Sequence, residues 1–137
     1  MPTINKRYSR SRDRTGPRRT NQGRRTADNS RLYNSRRWRS ASKRARFDHP
    51  WCRVHELAGV AEPATVTDHA VRIAVGGATW DSANHLTLCG SCHNTKSGLE
   101  ANDRMPIDTR AGLDGLVPVD REAVYTYLFE YIFNSDL

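Results

Sequence analysis

Residues 65–73, "TVTDHAVRI", and residues 88–98, "LCGSCHNTKSG", carry five side chains able to ligate a metal: Asp68, His69, Cys89, Cys92 and His93. In the first stretch the β-branched Thr65, Val66, Thr67, Val71 and Ile73 alternate with other residues. The pattern predicts a strand to about Asp68 or His69, with the remainder an extended loop or continued strand. Gly76-Gly77 breaks it. The second stretch predicts a short helix that stops near Gly98, with both cysteines at its start.

Upstream, Cys52 and His55 repeat the two-residue spacing of Cys89 and Cys92. Two such knuckles supply three thiolates and one imidazole, a set that suits tetrahedral Zn²⁺. The alternative is that Cys52 and His55 are unrelated to a lone C-x-x-C. His93 follows Cys92 directly, and one step along a helix turns a side chain by about 100°. His93 is therefore available to a second site. A metal that activates phosphodiesters prefers oxygen and imidazole ligands with open positions, which Asp68 and His93 offer. On a strand Asp68 and His69 point to opposite faces, so Asp68 can hold metal while His69 deprotonates water near neutral pH. The simpler alternative is a strand-end pair joined by a hydrogen bond.

The whole chain of 137 residues is enough for one domain with a modest core. Its net charge of +7 is a sum of opposites. Residues 1–47 hold 16 Lys or Arg against Asp13 and Asp28, a net of +14, and residues 48–137 hold 6 basic and 13 acidic residues, a net of −7. So dense a cationic segment concentrates a protein on a polyanion, because each neutralised phosphate releases counterions. Nucleic acid is the expected partner; another anionic surface, or a merely solvated tail, is the alternative. Three cysteines, two of them paired as C-x-x-C, argue against a disulfide scaffold and for thiolates holding metal in a reducing compartment. No apolar run approaches the roughly 18 residues of a membrane helix. The charged start does not resemble a secretory signal, so the expected location is the cytoplasm, with no membrane contact.

Residues 1–29 lack large apolar side chains and predict a disordered basic arm. From Ser30, "SRLYNSRRWRSASKRARF" predicts a basic helix, with Leu32, Trp38, Ala41 and Ala45 on its apolar side. Arg36, Arg37, Arg39, Lys43 and Arg44 are candidates for nucleic-acid contact. His49-Pro50 ends that helix, and residues 51–63 read as turn-rich. Residues 30–101 form the predicted core. Residues 102–137 form an irregular wrap and a last helix, with Val124, Tyr125, Leu128, Phe129 and Ile132 as its apolar stripe. Surplus aromatics there, Tyr127, Tyr131 and Phe133, are a candidate docking face for a partner or a second copy, or else further core. The chain is expected to be a monomer or weak homodimer.

The order HPWC-x-x-H, ATVTDH, GG, N-x-x-x-L-C-x-x-C-H-x-x-K resembles the HNH endonuclease family. Its small members encoded by tailed bacteriophages, often beside DNA-packaging genes, are the most similar in layout. The similarity covers about residues 32–99. It implies an α+β, zinc-stabilised ββα-metal (His-Me finger) fold with flanking helices. On this chain it implies His69 as general base and Asp68 and His93 as ligands of a catalytic Mg²⁺ or Mn²⁺, with Ni²⁺ possible. Asn84 is implied to hold the loop and orient His69, and Lys96 to lie near the substrate phosphate. Cys52, Cys89 and Cys92 match three of the family's four zinc ligands. His55 replaces the usual fourth cysteine, and His85 and Leu86 stand where many relatives have Leu and Gln. The implied function is hydrolysis of DNA phosphodiester bonds, by nicking or double-strand cleavage, in support of phage DNA packaging with terminase or other packaging proteins. The competing expectation is a non-catalytic zinc-containing DNA-binding or assembly module, which binds without cutting.

Overall fold

A computed structural model describes residues 30–134. The expected arm at 1–29 lies outside the described residues. Contacts divide the chain into two units, Met1–Arg39 and Ser40–Leu137, with the boundary inside helix α1 (Arg36–Asp48). In the first unit the helix expected from Ser30 is interrupted. Residues 30–33 make a helical turn, and the chain restarts at Ser35. Ser35 Oγ donates to the Leu32 carbonyl at 2.7 Å and accepts from Trp38 N–H at 3.1 Å, so a serine cap starts α1. Trp38 is buried and meets Tyr33 edge-on at 5.6 Å.

The second unit is a small α+β domain. After α1 come α2 (Arg53–Leu57), β1 (Val66–His69), β2 (His85–Leu88), α3 (Gly90–Ala101), β3 (Thr109–Ala111), β4 (Leu116–Pro118) and α4 (Arg121–Phe133). Single 3₁₀ turns at Ile73–Val75 and Ser82–Asn84 lie between β1 and β2. β1 pairs with β2 and β3 with β4, each pair antiparallel. The first register sets Val66 opposite Leu88, Thr67 opposite Thr87, Asp68 opposite Leu86 and His69 opposite His85. With the two-residue period of a strand, Thr67, Thr87, His69 and His85 share one face, and Asp68 and Leu86 the other.

Three expectations change here. Residues 53–57, read as turn, are a helix because Cys52 starts it and Val54 is buried beneath it. α3 runs past Gly98 to Ala101: the glycine costs roughly 1 kcal/mol within a helix, while Leu99 immediately after it is buried in the core. The wrap at 102–119 contains the β3–β4 hairpin. Its glycines serve close approach, since a Cβ at Gly112 would lie 2.5 Å from Val117 Cγ1 and one at Gly115 would lie 2.7 Å from Ala78 Cα.

The core joins Val54, Ala70, Leu86, Leu88, Leu99, Val124, Tyr125 and Leu128 to the three cysteines. Asp120 caps α4 by accepting from Glu122 N–H at 3.0 Å. The helix then turns Val124, Tyr125 and Leu128 inward, as its sequence pattern implies. Tyr125 Oη accepts from Thr87 N–H at 2.9 Å, and Tyr127 Oη donates to the Arg104 carbonyl at 3.0 Å. Of the three aromatics of the candidate docking face, Tyr127 packs against the core of the domain. Tyr131 and Phe133 are the large hydrophobic residues of α4 that stay exposed, at 38% and 39%. Among the described residues no helix is long and apolar enough to cross a membrane.

A candidate metal centre and the Asp68–His69 strand end

The two knuckles meet. Cys52 stands at the start of α2 and Cys89 at the start of α3, so each cluster half is a turn entering a helix. Cys52 N–H donates to the Glu62 carbonyl at 2.7 Å, which folds the first knuckle back on itself. The metal-binding atoms of Cys52, His55, Cys89 and Cys92 all lie within 4.8 Å of one another. His55 Nδ1 is 3.4 Å from Cys52 Sγ and 3.6 Å from the sulfurs of Cys89 and Cys92. Tetrahedral zinc with thiolate and imidazole bonds holds neighbouring ligand atoms about 3.5–3.8 Å apart. The donor set and spacing fit that ion.

The electrostatics point the same way. Hydrogen bonds from Cys92, then His55, hold the Cys52 thiol down to about 4 against the opposing effect of burial. The same contact with Cys52, and burial, push the Cys92 thiol up. Thiolates gathered closely repel one another, and a cation between them relieves that repulsion. Cys52, Cys89 and Cys92 are all buried and free of disulfides. The His55 ring is covered on one side by Phe133, edge-on at 5.5 Å.

At the end of β1 the side chains diverge as the strand period requires. Asp68 faces α3, and His69 lies on the opposite face of the sheet beside His85. Asp68 Oδ2 is 4.0 Å from His93 Nε2. Two bonds of about 2.1 Å to a shared divalent ion can span that gap. The same oxygen is 2.9 Å from Lys96 Nζ, yet it has no hydrogen-bond partner although it is buried. The ammonium is close enough to be an ion pair but is not aligned as a hydrogen bond. Its donors go instead to the His69 carbonyl at 2.9 Å and to Glu100 Oε2. Burial pushes the Glu100 carboxyl up, and the Lys96 charge opposes this.

Lys96 is a correction. It is fully buried, between Asp68, Glu100 and the backbone of β1, where no phosphate reaches it. It joins α3 to the strand end instead. Lys43 and Arg44 are exposed in the second unit, and Arg36, Arg37 and Arg39 are exposed in the first, all on α1.

Asn84 holds the loop that follows β1. It is fully buried, its Nδ2 donates to the carbonyls of Val71 at 3.0 Å and Ala78 at 2.8 Å, and its Oδ1 accepts from Val71 N–H at 2.7 Å. One side chain thus closes the loop 71–78 that follows His69. His69 is 2% exposed, and its Nε2 is 3.1 Å from the Thr79 carbonyl. Burial lowers its pKa below the ordinary 6.5, with the hydrogen bond to Thr79 opposing and the charges of His85 and Lys96 assisting. Burial thus favours the neutral form of the ring, which has an unprotonated nitrogen. His85 does more than pack: its Nε2 is 2.9 Å from the same carbonyl, and the two rings meet edge to face at 5.4 Å. Sequence spacing gave no sign of Thr79, Glu100 or Asp114 in this neighbourhood.

Fold and site together define a small α+β domain with a buried Cys3His cluster capable of binding a metal ion, and a second carboxylate–imidazole pair beside it. No protein-family model, curated protein or solved structure matches the chain.

Proposed function

We propose that the domain is a metal-dependent endonuclease of the HNH type that hydrolyses DNA phosphodiester bonds, with a structural zinc in the Cys3His cluster. One observation carries the reading: Asp68 leaves a buried oxygen without a hydrogen-bond partner 4.0 Å from His93 Nε2, on the strand end where His69 stands next in sequence. Asp68 and His93 would hold Mg²⁺ or Mn²⁺. Bound there, the ion supplies Lewis-acid stabilisation of charge developing on the phosphate. His69 takes a proton from water, the resulting hydroxide forms the new bond to phosphorus, and the bond to the 3′-oxygen breaks, that oxygen taking a proton from solvent water as it leaves. The products are a 5′-phosphate and a 3′-hydroxyl. Asn84 fixes the loop after the base. Arg36, Arg37, Arg39, Lys43 and Arg44 supply exposed charge for the DNA backbone, which positions a duplex without reading its sequence. A role beside phage packaging proteins rests on the resemblance of the motif order to the small phage nucleases.

A second reading is a zinc-containing DNA-binding or assembly module without catalysis. Three observations favour it. The Cys3His set is the only gathered group of three or more such ligands among the described residues, Lys96 already sits against Asp68, and His69 has almost no solvent exposure. Supercoiled plasmid incubated with the purified protein and Mg²⁺ or Mn²⁺ separates the two. The nuclease nicks or linearises it, and chelator or His69→Ala abolishes the cut. Binding without cutting by the wild type establishes the module, and cutting that survives His69→Ala removes His69 as the base.

A further inference from the structure

The carbonyl of Thr79 is shared by two imidazoles, His69 Nε2 at 3.1 Å and His85 Nε2 at 2.9 Å. A carbonyl oxygen only accepts, and it has two lone pairs, so both contacts are satisfied when each Nε2 carries its proton. That fixes the tautomer of neutral His69 and makes Nδ1 its basic nitrogen. The direction of this one carbonyl therefore sets which nitrogen of His69 can take a proton.

What sets the direction of the carbonyl lies 35 residues away in sequence. Asp114, in the turn of the β3–β4 hairpin, accepts from Thr79 N–H and Trp80 N–H through Oδ2, both at 2.9 Å, and from Asp81 N–H through Oδ1 at 3.0 Å. The middle bond matters most. Trp80 N–H and Thr79 C=O belong to the same planar trans peptide and point in opposite directions. Asp114 thus grips one edge of that peptide while the two histidines grip the other. The hairpin is itself held to this loop: Asp81 Oδ2 accepts from Leu113 N–H at 2.8 Å, Ala78 N–H donates to Leu116 O at 2.8 Å, and Leu116 N–H donates to Gly76 O at 2.9 Å. Backbone N–H groups of Leu113 and Ala83 hold the Asp81 carboxyl below its ordinary range, so it stays ionised and accepting.

We propose that Asp114 is a positioning residue for His69, fixing its tautomer and placement through the Thr79–Trp80 peptide. The inference deepens the nuclease reading and rests on it for its catalytic meaning. It assigns the C-terminal hairpin a part in the site at the end of β1, rather than only in covering the core.

The test uses the full chain, zinc-loaded and ¹⁵N-labelled at histidine, as wild type, Asp114→Asn and Asp114→Ala. Imidazole ¹⁵N shifts distinguish a protonated from an unprotonated ring nitrogen, a signature that a simple loop staple does not move. The wild type should show His69 in one tautomer, with Nε2 protonated. Asp114→Ala should give a mixture of tautomers at His69 and His85 with zinc content unchanged, and His49 should be unaffected. Plasmid cleavage should fall on the order of a hundredfold, the scale of a displaced reacting group, at unchanged DNA affinity. Asp114→Asn keeps one acceptor oxygen and should fall between, and it carries the comparison if the alanine variant does not fold. An unaltered His69 signature in a folded variant overturns the proposal. A shifted signature in a protein whose wild type cuts no DNA upholds the positioning role and removes the nuclease reading alone.

Discussion

Asn84→Ala is the perturbation whose cost is most directly worked from the structure. The side chain is fully buried and makes three hydrogen bonds, to Val71 N–H, Val71 C=O and Ala78 C=O. Alanine leaves those backbone groups in a space too enclosed for bulk water. Each buried group so orphaned costs about 1–3 kcal/mol, the N–H more reliably than the carbonyls. The summed loss should be about 3–5 kcal/mol, a large part of the roughly 5–15 kcal/mol that holds a domain together. Asn84→Asp should be worse than alanine. It keeps the acceptor for Val71 N–H but turns a charged oxygen toward two carbonyls. Urea unfolding followed by tryptophan fluorescence, with zinc in fixed excess so that ion binding does not vary, gives the number. At a slope near 2 kcal/mol/M the alanine midpoint should fall by about 2 M. A loss under about 1 kcal/mol, or an aspartate variant as stable as wild type, would refute the reasoning that Asn84 closes the loop after His69.

The Cys3His cluster should retain one zinc per chain after dialysis against a mild chelator, measured by elemental analysis. Cys89→Ser should unfold the domain, as circular dichroism would register, and a folded, zinc-free Cys89→Ser protein would count against the structural role. Burial raises the Tyr125 hydroxyl above its ordinary value of 10, with the bond from Thr87 N–H opposing. A group kept neutral in the fold contributes stability that is present below the unfolded value and is lost as pH rises above it. Urea midpoints of the wild type should therefore drop between about pH 10 and pH 12 more steeply than those of Tyr125→Phe, and parallel slopes would show that Tyr125 ionises as freely folded as unfolded.

Much of this domain was legible because its signals are local. The cysteine spacing foretold both knuckles, the β-branched run foretold β1, and the apolar stripe from Val124 to Ile132 foretold α4. The pairing of Asp68 with His93 followed from a helix period and a strand period. What stayed hidden depends on contacts between distant segments. Lys96 looks like a surface cation in "HNTKSG", and only the approach of β1 and Glu100 reveals that it is interior. His85 reads as a strand residue until its register partner proves to be His69. Asp114 sits in a glycine-rich turn that resembles any loop, and nothing in its own neighbours in sequence points to Thr79. The break at Ser35 was missed because a serine inside a basic run reads as helix surface, whereas its hydroxyl serves both the end of one turn and the start of the next.

The interior ammonium of Lys96 also constrains how this chain can change over generations. Its charge is shared by Asp68 and Glu100, and its third contact is the His69 carbonyl. Deleting any one member of such a set strands the others in a poorly solvated place, at a cost of about 3–5 kcal/mol, while replacing the whole set with apolar groups of equal volume is often nearly neutral. The three positions are thus locked together. A lineage can leave this arrangement only by passing through intermediates near the stability threshold, or by altering several codons at once. Substitution at the exposed positions of α1 meets no comparable stability barrier, so any constraint there comes from what the surface binds.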